Sequence, residues 1–294
     1  MRGVLGLIAF TLLTPGMLFG IFFPHVQIFP GKDANVKSPA DNGMKFESLV
    51  MTGPDGVTTK GWYLPPPVSP APGVICVHGH RGRRDQFLKE AKFLHAAGFG
   101  VALLDLRHHG DSGDGVVTFG VREAEEVRPY LDFLAARPEH RGQKLGLIGW
   151  SMGAVTVLKA ASLYPEVAAV VADSPFASLS EQSYYRVTSI VPGRLGSYCW
   201  AFALATGCTL SRMLPSEWEV SEWLPKIQPR PVFFIHGAAD TNIPAAATRK
   251  LVATARPENV EVWYAEGVNH IDTRNVHPAE YAKRVTEFFQ RTLK

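Results

Sequence analysis

From Gly73 onward the chain repeats one unit: a short apolar run without polar alternation, a turn, then a stretch with helical spacing. The strand-like runs are "GVICVHG" (73–79), "GVALLDLR" (100–107), "KLGLIGW" (144–150), "VAAVVADSPF" (167–176), "PVFFIHGAAD" (231–240) and "VEVWYAE" (260–266). Helical spacing occupies 84–99, 119–137 (with Pro129 inside), 151–164, 245–255 and 278–292. A strand that is apolar at every position has both faces buried, which predicts a parallel sheet covered by helices on each side. Right-handed crossovers then make the sheet doubly wound. Ahead of this repeat, residues 45–67 hold two extended runs around Pro54-Asp55-Gly56, a hairpin signal. The expected fold is therefore α/β: a doubly wound, mostly parallel sheet.

Two segments depart from the rhythm. Residues about 176–230 exceed an ordinary connection and carry Tyr184, Tyr185, Tyr198, Trp200, Phe202, Trp218 and Trp223. They read as a helical cap insertion over the sheet's carboxyl edge, with a packed helix pair of no substrate role as the alternative. Residues 3–23, "GVLGLIAFTLLTPGMLFGIFF", carry no charge. As a helix they would span roughly 30 Å, one hydrocarbon core. This N-terminal hydrophobic helix reads as an uncleaved membrane anchor, Pro15 notwithstanding. A cleaved signal peptide and an apolar segment docked on the protein itself are the competing readings. Arg2 opposes Lys32 and Lys37, so the positive-inside rule leaves the orientation and the side of the membrane open. The division is then an anchor or signal segment (1–23), a Pro/Gly-punctuated linker (24–44) and one domain over 45–293. The chain is placed at a membrane by its first segment, or secreted if that segment is cleaved.

Composition narrows the function. A net charge of +3 over 294 residues, with acids and bases interspersed, offers no concentrated basic face for nucleic acid. The three cysteines, Cys76, Cys199 and Cys208, form no metal-ligand spacing; Cys76 reads as core, and Cys199 and Cys208 are near enough in sequence to bridge in an oxidising compartment. His108 and His109 have no third ligand at a recognisable spacing, so no metal is expected.

In an open parallel sheet, ligands bind beyond the carboxyl ends of the strands. Four features fall there: Ser151 in "GWSMG", the "HGHRG" loop (78–82), Asp240, and His270 in "EGVNH". Glycines flanking Ser151 suit a strained strand-to-helix turn that thrusts one side chain outward. A serine hydroxyl needs a base, an imidazole can take and return its proton, and a carboxylate behind the imidazole fixes its tautomer. Backbone amides must then hold the oxyanion. The Met152 amide, at the start of a helix, is one candidate; His80, or Arg81, supplies the second. For the carboxylate Asp240 is preferred, because it precedes "NIP" after the next strand, with Asp173 the competitor. Asp105 and Asp111 read as loop-holding residues, His78 and His80 as architectural or oxyanion-loop residues, and Arg81, Arg83 and Arg84 as a solvated rim.

The order Ser151, Asp240, His270, with "GWSMG", "HGHRG" and "FFIHGAAD…IP", resembles the α/β-hydrolase family. It is similar in particular to the membrane-anchored or secreted serine hydrolases related to prolyl-oligopeptidase catalytic domains and dienelactone hydrolases. The resemblance covers roughly residues 45–293. It implies acyl transfer from an ester, thioester or amide to water, without cofactor, on a small acyl substrate such as an ester, lipid or short peptide. A carboxylesterase or lipase-like enzyme is the first expectation. A serine peptidase of the prolyl-oligopeptidase type and a non-catalytic binding protein on the same fold are the alternatives. Chain length of the substrate and oligomeric state are not set by the sequence.

Overall fold

The computed structural model describes residues 16–34 and 37–294. Around Pro54-Asp55-Gly56 an antiparallel hairpin forms from β1 (Glu47–Thr52) and β2 (Thr58–Leu64), closed by the Gly53 amide donating to the Val57 carbonyl at 2.8 Å. The apolar runs that follow become β3 (Gly73–Val77), β4 (Gly100–Leu104), β5 (Leu145–Trp150), β6 (Val167–Asp173), β7 (Val232–Gly237) and β8 (Val260–Ala265). One eight-stranded sheet results among the described residues, in the order β1-β2-β4-β3-β5-β6-β7-β8. β2 runs antiparallel to β1 and β4, and every pair from β4 to β8 is parallel. The chain goes from β3 outward to β4, then returns past β3 to β5, so the winding reverses between β3 and β5. That reversal opens a crevice at the carboxyl ends of these two strands.

Helices α2 (Leu88–Ala96), α3 (Glu123–Ala136), α4 (Met152–Leu163), α8 (Ala246–Val252) and α10 (Pro278–Leu293) fill the gaps between strands. Alternate residues of one strand feed two separate cores. Ile75 and Val77 pack with Val127 and Leu131 of α3 and Val155 and Leu158 of α4; Val74 and Cys76 pack with Leu94 of α2 and Val285 and Phe288 of α10. All of these are buried, and each large apolar side chain so enclosed contributes about 1.5–3 kcal/mol. Two covered faces are why the strands carry no polar alternation.

The cap is an antiparallel helix pair, α5 (Leu179–Ile190) and α6 (Gly193–Ser211), followed by short helical turns that include α7 (Leu224–Ile227). Cys199 and Cys208 both lie on α6 and are free. Nine positions along a helix separate them by about 13 Å, far beyond disulfide reach. The bridge allowed by their closeness in sequence is therefore excluded within one chain.

The expected membrane span is not found among the described residues. Residues 3–15 of the apolar run lie outside the described residues, and no helix among the described residues is long and apolar enough to cross a membrane. The tail of the run instead belongs to a helix, α1, over residues 16–28, which continues through Pro24 into the stretch read as linker. Its Gly16 and Gly20 face α6, while Met17, Leu18, Ile21 and Phe22 are exposed.

Arg84 also departs from the expected solvated rim. It is 6% exposed, pairs with Asp105, donates to Asp111 at 2.7 Å and stacks on Trp62 with its guanidinium 4.2 Å from the ring centroid. Asp105 and Asp111 do hold this loop, through Arg84 and through the Asp111 amide bonded to Asp105 at 2.9 Å.

Candidate active site

β5 ends at Trp150 and α4 begins at Met152, so Ser151 alone makes the turn, at φ 52° and ψ −117°. A non-glycine residue in that region is strained, and the surroundings must hold it there. They do so by close backbone packing. A Cβ on Gly149 would stand 2.2 Å from the Gly153 carbonyl oxygen, and one on Gly153 would stand 2.1 Å from that of Val77. Both glycines have ordinary φ; what they provide is space. The Ser151 amide extends the sheet ladder by donating to the Asp173 carbonyl at 2.8 Å.

Two loops bring the other groups to this turn. Past β8, His270 sits 15% exposed, and past β7 the Asp240 side chain is fully buried. Ser151 Oγ–H donates to His270 Nε2 at 3.0 Å, and His270 Nδ1–H donates to Asp240 Oδ2 at 2.7 Å. The far carboxylate oxygen, Oδ1, accepts the Asn242 and Ile243 amides, each at 2.8 Å. Burial alone would raise the Asp240 carboxyl. Hydrogen bonds from His236 and His270 and the backbone amide of Ile243 overcome it and hold the group well below the usual carboxylate range. Asp240 therefore carries its charge at neutral pH. That charge orients the imidazole through its Nδ1–H, an arrangement able to stabilise an imidazolium.

The sequence reading did not assign two supporting residues. His236 lies 3.3 Å from Asp240 Oδ2 through Nε2, which also donates to the Ile243 carbonyl at 2.8 Å; its Nδ1 accepts from Thr248 at 2.7 Å. Asn269 Oδ1 accepts the Thr241 amide at 3.1 Å and the His270 amide at 2.8 Å, tying the acid loop to the histidine loop. The spacing of His236 four residues before Asp240, at the end of a buried strand, was the available signal for the first. The second had none.

Asp173, the competing carboxylate, is buried at the end of β6, where burial lifts it to about 6. Its Oδ1 accepts from Ser174 Oγ at 2.9 Å, and among the described residues no hydrogen bond links it to His270.

The "HGHRG" loop lies across the crevice from the Ser151 turn. Arg81's amide donates to His109 Nε2 at 3.0 Å, so that amide is already engaged. Met152 opens α4, where first-turn amides have no intrahelical acceptor. The His80 amide makes no hydrogen bond among the described residues, which leaves it and Met152 as the available donors. His109 in turn donates from Nδ1 to the Arg107 carbonyl at 2.7 Å, and His78 donates from Nδ1 to Gly79 while accepting the Leu106 amide at 3.0 Å. Each ring accepts on one nitrogen and must stay neutral to do so. Burial keeps them so, holding His109 near 2 and His78 below its ordinary value. Among the described residues no group of three or more His, Cys, Asp or Glu side chains could hold a metal ion.

A cavity of about 320 Å³ opens beside Ser151, His80 and Met152. Phe23, Ile28, Phe119, Phe176 and Trp218 make it apolar, with Gln182, Arg186 and Asn242 as polar lining. Of the seven cap aromatics, only Trp218 lines it. Tyr184 and Trp200 pack edge-to-face at 5.2 Å, Tyr198 packs on Phe202 at 4.8 Å, and Trp223 is buried in the core.

A family model described as "alpha/beta hydrolase fold" matches residues 72–214, which run from β3 through Ser151 to the end of the cap helices. The chain has the α/β-hydrolase fold. Among solved structures it resembles the Pyrococcus furiosus esterase Pf2001, with TM-score 0.75 and 25% identity over 91% of this chain and 100% of that one. Among curated relatives, YqkD of Bacillus subtilis (strain 168) is 29% identical across 94% of each chain. YfhR of Escherichia coli (strain K12) is 24% identical over 84% of this chain and 81% of its own length. The likeness to YqkD and Pf2001 extends over nine-tenths of this chain, well beyond the segment that the family model matches.

Proposed function

We propose that this α/β hydrolase is a serine esterase that cleaves esters of apolar acyl groups through an acyl-enzyme. The hydrogen-bonded chain from Ser151 through His270 to Asp240 carries the reading. His270 takes the hydroxyl proton as Ser151 attacks the ester carbonyl; the amides of Met152 and His80 stabilise the oxyanion; His270 then protonates the departing alcohol. Water enters along the same path, giving its proton to His270 and releasing the acid. An apolar cavity beside the nucleophile, and the likeness to an esterase over nine-tenths of the chain, favour acyl esters as substrates.

The test is hydrolysis of a p-nitrophenyl ester series from short to long acyl chains, beside a panel of aminoacyl amides, with Ser151→Ala as control. Turnover on the esters that vanishes in Ser151→Ala is the expected result. Near-normal ester hydrolysis by Ser151→Ala ends the proposal.

A further inference from the structure

One wall of the cavity comes from a segment that the chemistry does not call upon. α1 meets the rest of the molecule in three ways. It lies against α6 at backbone contact: a Cβ on Gly20 would stand 2.5 Å from Phe202 Cβ, and one on Gly16 would stand 3.2 Å from the Tyr198 ring. Its inner face gives Phe23, Pro24, Gln27 and Ile28 to the cavity that holds Ser151. Its last-turn carbonyls, which lack partners within the helix, accept hydrogen bonds from the loops that follow β3 and β4. Arg81 Nη2 donates to the Val26 carbonyl at 3.2 Å, His80 Nε2 donates to the Gln27 carbonyl at 2.7 Å, and the Val117 amide donates to the Ile28 carbonyl at 3.2 Å. The His80 ring is held flat by Phe119, stacked at 5.1 Å. Beyond the helix, Lys32 fastens the segment to the Ser112 carbonyl at 2.7 Å and to Asp114 at 2.8 Å.

Both side chains that grip the end of α1 belong to the loop whose amide faces the oxyanion. We infer that α1 is a specificity wall and a positioning latch. Its inner face sets where an acyl chain must end. The bond from His80 to the Gln27 carbonyl holds the His80 amide where the oxyanion forms. Gln27 and the His80 ring are thus positioning groups; they act through a backbone donor and do not touch the reacting atoms. The inference rests on the serine-esterase reading.

The two roles separate kinetically. A contact made only in the transition state moves kcat, whereas a wall moves the choice of substrate. Losing one oxyanion donor outright costs roughly 10²–10³ in kcat, and a donor merely unlatched costs less. In the full-length protein, Gly20→Leu drives a side chain into α6 and lifts α1 from its seat. Its kcat on p-nitrophenyl esters should fall about 10-fold or more, and its acyl-length optimum should shift. Phe23→Ala should move the preferred ester to a longer acyl chain and Phe23→Trp to a shorter one. His80→Ala should lower kcat with KM little changed, and His80→Gln, whose amide N–H can again reach the Gln27 carbonyl, should recover most of the loss. Thermal unfolding of each variant reports whether the sheet domain is intact.

Wild-type kcat and an unmoved length optimum in Gly20→Leu and both Phe23 variants would overturn the inference, as would His80→Gln no better than His80→Ala. Ser151→Ala run alongside separates the two levels. If it retains turnover, the esterase reading falls and takes this inference with it. If it is dead while the α1 variants match wild type, this inference alone falls.

Discussion

Replacing Asp240 by asparagine tests the geometry at its most constrained point. Asp240 Oδ1 accepts the Asn242 and Ile243 amides, each at 2.8 Å, and those buried N–H groups need an acceptor. An asparagine at 240 must therefore keep its carbonyl oxygen on that side and present its NH2 group where Oδ2 now meets His270 Nδ1 at 2.7 Å. Two N–H donors cannot face each other, so His270 shifts its proton to Nε2. That nitrogen then points a hydrogen at Ser151 Oγ, 3.0 Å away, and can no longer accept one. The change conserves shape and abolishes the base. Wrong-tautomer substitutions of this kind cost about 10⁴ in kcat, or roughly 5.5 kcal/mol of transition-state stabilisation. Asp173→Asn alters a carboxyl that makes no bond to His270 among the described residues, and it should cost less than about tenfold. The assay is kcat/KM on one p-nitrophenyl ester from pH 6 to 9 for both variants. A value for Asp240→Asn within tenfold of wild type, or a larger loss in Asp173→Asn, refutes the assignment of the carboxylate.

Two further outcomes follow from the packing. Gly153→Ala places a methyl group 2.1 Å from the Val77 carbonyl oxygen and 2.4 Å from that of His78, so α4 must move by roughly 1 Å. Stability should fall by about 1–3 kcal/mol and kcat by about 10², read by urea unfolding and steady-state kinetics; unchanged kcat would contradict the spacing argument. The histidines His78 and His109, whose folded-state values burial depresses, set a pH window. Below about 6.5 the unfolded chain binds protons that the folded chain excludes, so stability is full above that pH and declines as pH drops. The His109 ring should cost about 2 kcal/mol by pH 5, with His78 adding a loss of the same sign, and His109→Gln should flatten the decline; urea midpoints equal at pH 7.5 and pH 5 would contradict it.

Much of the architecture was legible because it is written in local pattern. Uninterrupted strands such as "GVICV" declare two covered faces, and the structure covers both. The turn at Ser151 was visible in its flanking glycines, since close approach of Val77 and Gly153 leaves no room for a Cβ. What stayed hidden lies in partners far apart in sequence. An apolar helix looks the same whether its neighbour is lipid or protein. α1 buries Gly16, Gly20, Pro24 and Ile28 against the molecule while Met17, Leu18, Ile21 and Phe22 stay exposed. Small residues four apart on one face were the sign of close helix packing. Which cap aromatics face the cavity was equally hidden, because Tyr184 and Trp200 pair between α5 and α6, and Tyr198 and Phe202 pair along α6. Arg84 looked like a rim residue because nothing local reveals that Asp105, one strand away, neutralises it.

The central claim is that Ser151 is an activated nucleophile, and covalent capture measures this with no substrate in hand. A fluorophosphonate added to the intact protein should add one label, mapped by peptide mass spectrometry to Ser151, at a rate that falls steeply in His270→Ala. A label on another residue, or full ester turnover by protein that resists labelling, would contradict the account.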